Sequence, residues 1–279
     1  MSLTIETAEA ATSPKPRTII LDLFGDYLRE RGGSVRAGHL MILLGAFGIE
    51  PAAVRMTLSR LKREGWFTTR RVGRETIYTL TDHLIGILDE GRSRIFADYG
   101  EPWDGTWTTV VHRSGLDRVV RDQVRKQLSW LGFGPLASST WISPRDRSEQ
   151  ARGLDAEVGE PVVVTIMRSV TGRPEEDRAL AESCWDLPAI NAAYADFLTA
   201  HADLPGVAGG LAGADALVAR VTLIAGYRHF PFLDPWLPTA LQPEGWLGEQ
   251  ANALFHTLHD TLAPQARAYV ESVVDRSSI

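Results

Sequence analysis

The strongest constraint on this chain is a break of about three residues between two helical runs. The first, Leu40-Met41-Ile42-Leu43-Leu44, reaches Phe47-Gly48. After Ile49-Glu50, Pro51 stands at a first helical turn, where a missing N–H costs nothing. So short a connection predicts the crossing of a helix-turn-helix. In the second helix Val54, Leu58 and Leu61 share one stripe, and Arg55, Ser59 and Arg63, flanked by Met56 and Arg60, share the opposite one. After Gly65, the β-forming runs 66–71 and 75–80 flank Val72-Gly73-Arg74 and predict a wing with Arg70, Arg71 and Arg74 near its tip. An earlier amphipathic run, Thr18 to Arg31, turns Ile19, Ile20, Leu23, Phe24, Tyr27 and Leu28 inward and Asp22, Asp26, Arg29 and Glu30 outward, and stops at Gly32-Gly33. Together these runs predict a winged helix-turn-helix over residues 16–83, preceded by a flexible tail over 1–15.

Charge sharpens that reading. The net charge of −6 conceals a segregation: Lys15 to Leu80 carries twelve Lys/Arg against six Asp/Glu, which leaves −12 for the rest. A basic module on an acidic body points to a polyanion partner for one part only. In such a module Arg55, Ser59, Arg60 and Arg63, with Met56 beside them, are placed to enter the major groove of duplex DNA, where Arg donates two parallel hydrogen bonds to guanine. Arg70, Arg71 and Arg74 would touch phosphate or minor groove, positioning the module without specifying much sequence. The plainer alternative is a solvated basic face; the short turn before the helix and the arginine-bearing wing after it favour DNA.

Beyond the wing, Thr81 to Asp98 reads as a linking helix with Leu84, Ile85, Leu88, Ile95 and Phe96 apolar and Glu101-Pro102 as its stop. It occupies a linking segment, 84–102, able to join modules and to pair with a partner chain. Residues 103–180 follow the order β-α-β-(β)-α-β: a strand over 106–112, a helix over 116–131, a strand region over 138–142, a polar helix over 148–156 and a strand over 161–167. That order predicts a ferredoxin-like α+β domain. Residues 181–279 read as a helical domain, with helices over 187–199, 215–227 and 247–262, a last one after Pro264, and a glycine-rich linker over 206–213. The fold class is therefore α+β.

Several function classes are disfavoured. No segment approaches the roughly 20 apolar residues of a membrane-spanning helix, and the first fifteen residues lack the charged and apolar regions of a secretion signal, so the cytoplasm is expected. Cys184 is the only cysteine, which excludes an internal disulfide and a multi-cysteine zinc site; beside Trp185 it reads as a packing residue. His256 and His259, with His229 and His201, lack a His-Glu-x-x-His pattern, and neither a serine elbow nor a phosphate loop is present. No cofactor or metal is expected. The aromatic, proline-rich stretch Tyr227 to Trp246 leaves two readings open. Phe230, Phe232, Trp236 and Trp246 line a pocket for a planar ligand, with Arg228 and His229 as polar contacts, or they fill a core.

The segment Pro51-Ala52-Ala53-Val54-Arg55-Met56-Thr57-Leu58-Ser59-Arg60-Leu61 with Gly65-Trp66 resembles the PaaX-like family of phenylacetic acid degradation repressors. So do Gly132-Phe133-Gly134 with Trp141-Ile142, and Tyr227-Arg228-His229-Phe230-Pro231-Phe232-Leu233-Asp234-Pro235-Trp236-Leu237-Pro238 with Gly245-Trp246 and Leu254-Phe255. The resemblance runs from about Pro16 to Tyr269. It implies a homodimeric repressor of a catabolic operon, not an enzyme, with an operator duplex as partner and a coenzyme A thioester, phenylacetyl-coenzyme A in the best-known members, as effector. The 103–180 region also distantly resembles the ferredoxin-like fold of Cas2 nucleases, in which a first-strand carboxylate holds metal. Here only Asp104 precedes that strand, and a metal-dependent, nuclease-like enzyme carrying a DNA-binding module is the competing reading.

Overall fold

In the computed structural model, Pro16 occupies the first helical position and opens α1 (Pro16–Leu23). The structure describes residues 15–96, 102–113, 115–159 and 161–275. The expected tail up to residue 14, the expected end of the linking helix at Asp98 and its stop at Glu101 lie outside them. The predicted single helix over 18–31 takes three forms. After α1 the chain widens into a π turn over Phe24–Leu28, in which the Arg29 N–H donates to the Phe24 carbonyl, and tightens into a 3-10 turn over Arg29–Arg31. The inward stripe is as expected, with Ile19, Ile20, Leu23, Phe24 and Leu28 fully buried. The outward side is not: the side chains of Asp22 and Asp26 are nearly buried.

A short strand that the sequence reading did not anticipate, β1 (Ser34–Arg36), leads into α2 (Ala37–Gly45) and α3 (Pro51–Arg63). The hairpin β2 (Phe67–Val72) and β3 (Glu75–Leu80) follows, and the antiparallel sheet has the order β1-β3-β2. The Thr81 side chain accepts from the Leu84 N–H and caps α4 (Asp82–Ile95).

The middle region comprises β4 (Trp107–His112), α5 (Arg118–Trp130), β5 (Gly134–Ala137), β6 (Thr140–Ser143), α6 (Ser148–Arg152), α7 (Leu154–Val158) and β7 (Val164–Ser169). Its sheet order, β5-β6-β4-β7, is that of a ferredoxin-like split β-α-β unit. The expected strand over 138–142 is the second half of a hairpin, and the expected polar helix breaks at Gly153. One sheet face, through Val110, Trp141 and Ile166, packs on Val124 and Leu128 of α5 and on Ala151, Leu154 and Val158. Trp107 points to the other face, where its indole N–H donates to Asp177 of α8 (Pro174–Cys184) at 2.7 Å. Gly134 allows the close approach there: a Cβ would meet the Trp185 ring at 2.7 Å and Cys184 at 2.8 Å.

The remaining elements are α9 (Leu187–Ala200), α10 (Leu204–Val207), α11 (Gly213–Tyr227), α12 (Phe230–Leu233) and α13 (Gly248–Val274). The expected linker over 206–213 is partly helical, through α10 and a 3-10 turn at Ala208–Gly210. α13 runs through Pro264 instead of stopping there, because the buried stripe Leu262, Ala266, Val270 and Val273 continues across it.

The chain divides into two compact units that interleave in sequence. One takes the residues before Asp98 with Phe197–His229 and the chain from Asn252 on; the other takes Asp98–Asp196 and Phe230–Ala251. The segment read as one domain over 181–279 thus contributes to both. The first unit's core joins Leu23, Leu40, Val54, Leu58 and Leu61 to Ala216, Leu217 and Val221 of α11 and to Ala266, Val270 and Val273 of α13. Leu84 lies in the same core with Ile85 and Leu88 packed on it, so the apolar side of α4 is used within its own unit.

A buried polar cluster fixes this arrangement. Arg220 of α11, 3% exposed, reaches Asp26 Oδ2 at 2.5 Å, donates to Tyr27 Oη at 2.8 Å, and lies 2.7 Å from His259 Nε2 and 3.1 Å from the His259 carbonyl. Arg228 reaches Asp22 Oδ1 at 3.1 Å and Thr18 Oγ1 at 3.3 Å. Burial alone would raise the Asp26 carboxyl, but the His259 hydrogen bond and the Arg220 charge hold it below its ordinary value. Among the described residues Asp22 pairs with Arg228, the neighbouring Asp26 charge opposes its ionisation, and its buried Oδ2 has no hydrogen-bond partner. Burial pushes its carboxyl up to about 6 against the pull of Arg228. An acid whose folded pKa is raised stabilises the fold while protonated, and that contribution is lost as pH rises from the ordinary 3.8 through about 6. Asp22→Asn removes the ionisation. Thermal melts are expected to show the variant gaining stability relative to the parent as pH rises from ~4 to ~7, by up to roughly 3 kcal/mol. A constant difference across that range would show that folding does not raise the Asp22 carboxyl above its ordinary value.

Candidate nucleic-acid interface

A glycine turn closes α2 just before α3, and another closes α3 itself. At Gly48, φ 73°, the Ile49 N–H donates to Leu44 O at 3.2 Å and the Gly48 N–H to Gly45 O at 3.0 Å. At Gly65, φ 80°, Trp66 bonds to Leu61 O and Gly65 to Lys62 O, both at 3.0 Å. Both are Schellman closures, which need a residue in the left-handed region and so favour glycine. The break expected at about three residues therefore spans Ala46 to Glu50, of which the first residues still wind helically.

The buried stripe of α3 is Val54, Leu58 and Leu61, all fully enclosed. The opposite side exposes Arg55, Met56, Ser59, Arg60 and Arg63, together with Lys62, which the sequence reading omits. Lys62 lies seven residues after Arg55, and helical period alone puts it on that side. Met56 is 74% exposed, leaving an apolar side chain among cations, as contact with a thymine methyl group would require.

The cations are not equivalent. Arg60 Nε donates to Glu64 Oε1 at 2.9 Å, and Glu64 Oε2 is 2.5 Å from Arg17, whose guanidinium lies 4.5 Å over the Trp66 ring. The Arg17 hydrogen bond, opposed by a small burial cost and aided by Arg60, holds the Glu64 carboxyl below its ordinary value. Arg55 touches Met41 Sδ at 3.7 Å. In the wing, Val72 pairs with Glu75 across Gly73-Arg74, and Gly73 at the first turn position has φ 60°, as in a type II′ turn. Arg70, Arg71 and Arg74 are all exposed. Glu75, the nearest carboxylate, pairs with Arg36 at 2.7 Å.

The six residues expected to line a ligand pocket do not gather in one unit. Arg228 and His229 belong to the first; Arg228 is engaged by Asp22, and burial, with the neighbouring Arg228, pushes the His229 imidazole down to about 4. Phe230, Phe232, Trp236 and Trp246 belong to the second. Phe230 is fully buried and stacked on Tyr194, with ring centroids 4.1 Å apart, and Trp246 meets the same ring edge-on at 5.7 Å. Phe232 stacks on Trp130 at 4.6 Å. Trp236 has a backbone φ of 56°, a left-handed conformation that costs a bulky residue about 1–3 kcal/mol. Buried Asp234 holds the strain by accepting from Trp236 N at 2.7 Å and from Tyr194 Oη at 2.7 Å, while Arg145 Nη2 donates to Trp236 O at 3.1 Å. Asp104 is exposed, accepting from Thr106 N at 2.9 Å and pairing with Arg168 at 2.8 Å. Among the described residues no three His, Cys, Asp or Glu side chains gather as a metal site would require.

Three family models match the chain: PaaX-like protein over residues 15–84, the PaaX protein central Cas2-like domain over 100–181, and the PaaX-like protein C-terminal domain over 185–272. Transcriptional repressor PaaX of Escherichia coli (strain K12) is 32% identical over 95% of this chain and 86% of its own length. A solved structure, the uncharacterized protein Rv0674 from Mycobacterium tuberculosis, has the same fold, with a TM-score of 0.66 over 91% of this chain and 98% of that one at 22% identity.

Glu64 is the carboxylate that competes for Arg60. Glu64→Gln is expected to cost no more than about 1 kcal/mol of stability. It should also tighten binding to duplex DNA at low salt, with the slope of log K against log salt steeper by about one. Fluorescence anisotropy over a salt series checks this, and unchanged affinity and slope would place the Arg60 head away from the duplex.

Proposed function

The chain belongs to the PaaX-like family, and from that premise we propose that it is a transcriptional repressor that reads operator DNA with α3 and steadies itself with the wing. The observation that carries this is the face of Arg55, Met56, Ser59, Lys62 and Arg63: exposed, cationic, on a helix that follows one glycine turn and is closed by another. The named repressor among its relatives supports the same reading. The nuclease-like alternative has no such support, since Asp104 is taken by Thr106 and Arg168. The working unit is a cytoplasmic homodimer, which would align paired half-sites with a molecular two-fold.

The finer part of the proposal is that an aryl- or acyl-coenzyme A relieves repression of a catabolic operon. The family resemblance supports it. So does the turn at Trp236, where the chain carries backbone strain to hold an indole in place; such strain clusters at ligand clamps.

Binding to a duplex from the promoter of the chain's own operon should weaken steeply with salt, as phosphate contacts release counterions. Arg55→Ala with Arg60→Ala should reduce discrimination between operator and unrelated DNA by about 1–3 kcal/mol per base-reading side chain. Full sequence-specific affinity in the double variant would move the reading surface off α3. For the effector, calorimetric titration with a panel of coenzyme A esters should find a ligand whose saturation weakens operator affinity about 5- to 150-fold. Trp236→Ala should lose that response, and a ligand that binds without changing operator affinity would be no effector.

A further inference from the structure

The body beyond the wing is acidic, but not evenly so. Of its α-helices among the described residues, α5 alone carries a net positive charge, with Arg118, Arg121, Arg125 and Lys126 against Asp122. α5 belongs to the second compact unit, whereas α3 and the wing belong to the first.

The inner side of α5 is fixed. Val124 and Leu128 are buried in the core under the middle sheet, and Val120 and Leu131 pack on the same cluster. Asp117 caps the helix, its Oδ1 accepting from the N–H groups of Val119 at 2.8 Å and Val120 at 3.0 Å. The outer side is a cationic ridge. Arg118, Arg121 and Arg125 recur at i, i+3 and i+7, so they follow one side of the helix over about 10 Å. All three are exposed, as is Lys126. Among the described residues Arg118, Arg121 and Lys126 have no carboxylate partner, and Arg125 approaches Asp122 at 3.6 Å with 65% of its own side chain exposed. Such a ridge works against its own helix. Like charges three and four residues apart repel, and Arg118 stands in the first turn, where the positive end of the helix dipole disfavours a cation. Local conflict of that kind is expected where function requires it.

We propose that the outer face of α5 is a second contact with duplex DNA, one that grips phosphates and reads no bases. This rests on the reading of duplex DNA as the partner and adds a surface outside the winged helix. The charge pattern selects the occupant. One strand of a duplex presents a phosphate about every 3.4 Å along the axis, so a ridge of about 10 Å can face roughly three of them. On a body of negative net charge, only a locally positive face can approach such a polyanion without repulsion. A small anionic ligand fits poorly, because the ridge is convex and such ligands occupy concave sites. The hollow beside its first turn, at Val119 and Gly159, is lined by the Asp117 carboxylate, which repels an anion. A membrane surface fits no better, since the apolar side of the helix, Val124 and Leu128, is already buried in the core.

The test is fluorescence anisotropy of the full-length protein on an operator duplex and on an unrelated duplex, each over a salt series. Two triple variants accompany the parent: Arg118→Ala with Arg121→Ala and Arg125→Ala, and the same three positions changed to Lys. With three phosphates lost, the Ala variant is expected to show a slope of log K against log salt shallower by about 2.7 on both duplexes. Raising salt from ~50 to ~200 mM should then cost it roughly 40-fold less affinity than the parent loses. Its preference for operator over unrelated DNA should stay that of the parent, because phosphate contacts carry no sequence information. The Lys variant should keep the parent's slope, and both variants its melting temperature, since the side chains are exposed. A parental slope in the Ala variant overturns the proposal, and loss of coenzyme A binding in that same variant would assign the ridge to a small ligand's phosphates. A Lys variant as shallow as the Ala variant also overturns it, because charge would then not be what matters. If the parent binds neither duplex, the DNA-binding reading falls with it.

Discussion

The first compact unit depends on one guanidinium. Arg220 comes from the second half of the chain, yet its partners Asp26 and Tyr27 stand in the first thirty residues and His259 on the last helix. A charge buried to that degree is costly unless fully paired, and removing one member of such a pair typically costs about 3–5 kcal/mol. The cluster therefore specifies how α11 and α13 dock against the N-terminal helix. The π turn over Phe24–Leu28 belongs to the same arrangement, since both Asp26 and Tyr27 bond to Arg220 from within it. π turns are uncommon and often mark functional positions. This one marks the joint between the DNA-binding elements and the helices that follow them by more than a hundred residues.

What was legible in the sequence was whatever local periodicity decides. The two stripes of α3, its glycine stops, the arginine wing and the β-α-β-β-α-β order all depend on residues near each other in the chain. What was not legible depends on distant partners. Asp22 and Asp26 read as a solvent face because an amphipathic helix of a free-standing module would expose them; nothing near them in sequence announces Arg228 or Arg220. β1 is three residues long, too short for a period of two to show. Pro264 read as a boundary because proline usually ends a helix, yet the buried residues on either side keep α13 continuous. The aromatic stretch after Tyr227 was visible as unusual, but composition could not tell that Phe230 is spent on Tyr194, nor that the chain changes units between His229 and Phe230.

The electrostatics of the basic module are also more partitioned than its residue count suggests. Of the six carboxylates between Lys15 and Leu80, Asp22, Asp26, Glu64 and Glu75 are each paired with an arginine. Those pairs are spent on assembly, chiefly away from the outward side of α3. Arg55, Lys62 and Arg63 keep their charge for the surface, so the local field there is set by side chains that formal counting averages away.

The interleaving of the two units has a consequence for how the protein is made. The ribosome delivers the helix-turn-helix first, but Leu23, Val54 and Leu58 share their core with Val221, Val270 and Val273. Until α11 emerges Asp22 and Asp26 are without their arginines, and until α13 emerges the nascent N-terminal segment has apolar surface without its cover. The core beneath the helix-turn-helix is thus completed only once α13 has emerged. A ribosome that stalls before α13 releases a product lacking the platform on which α3 rests, and genetic fusions that transplant residues 16–83 alone would carry the same deficit.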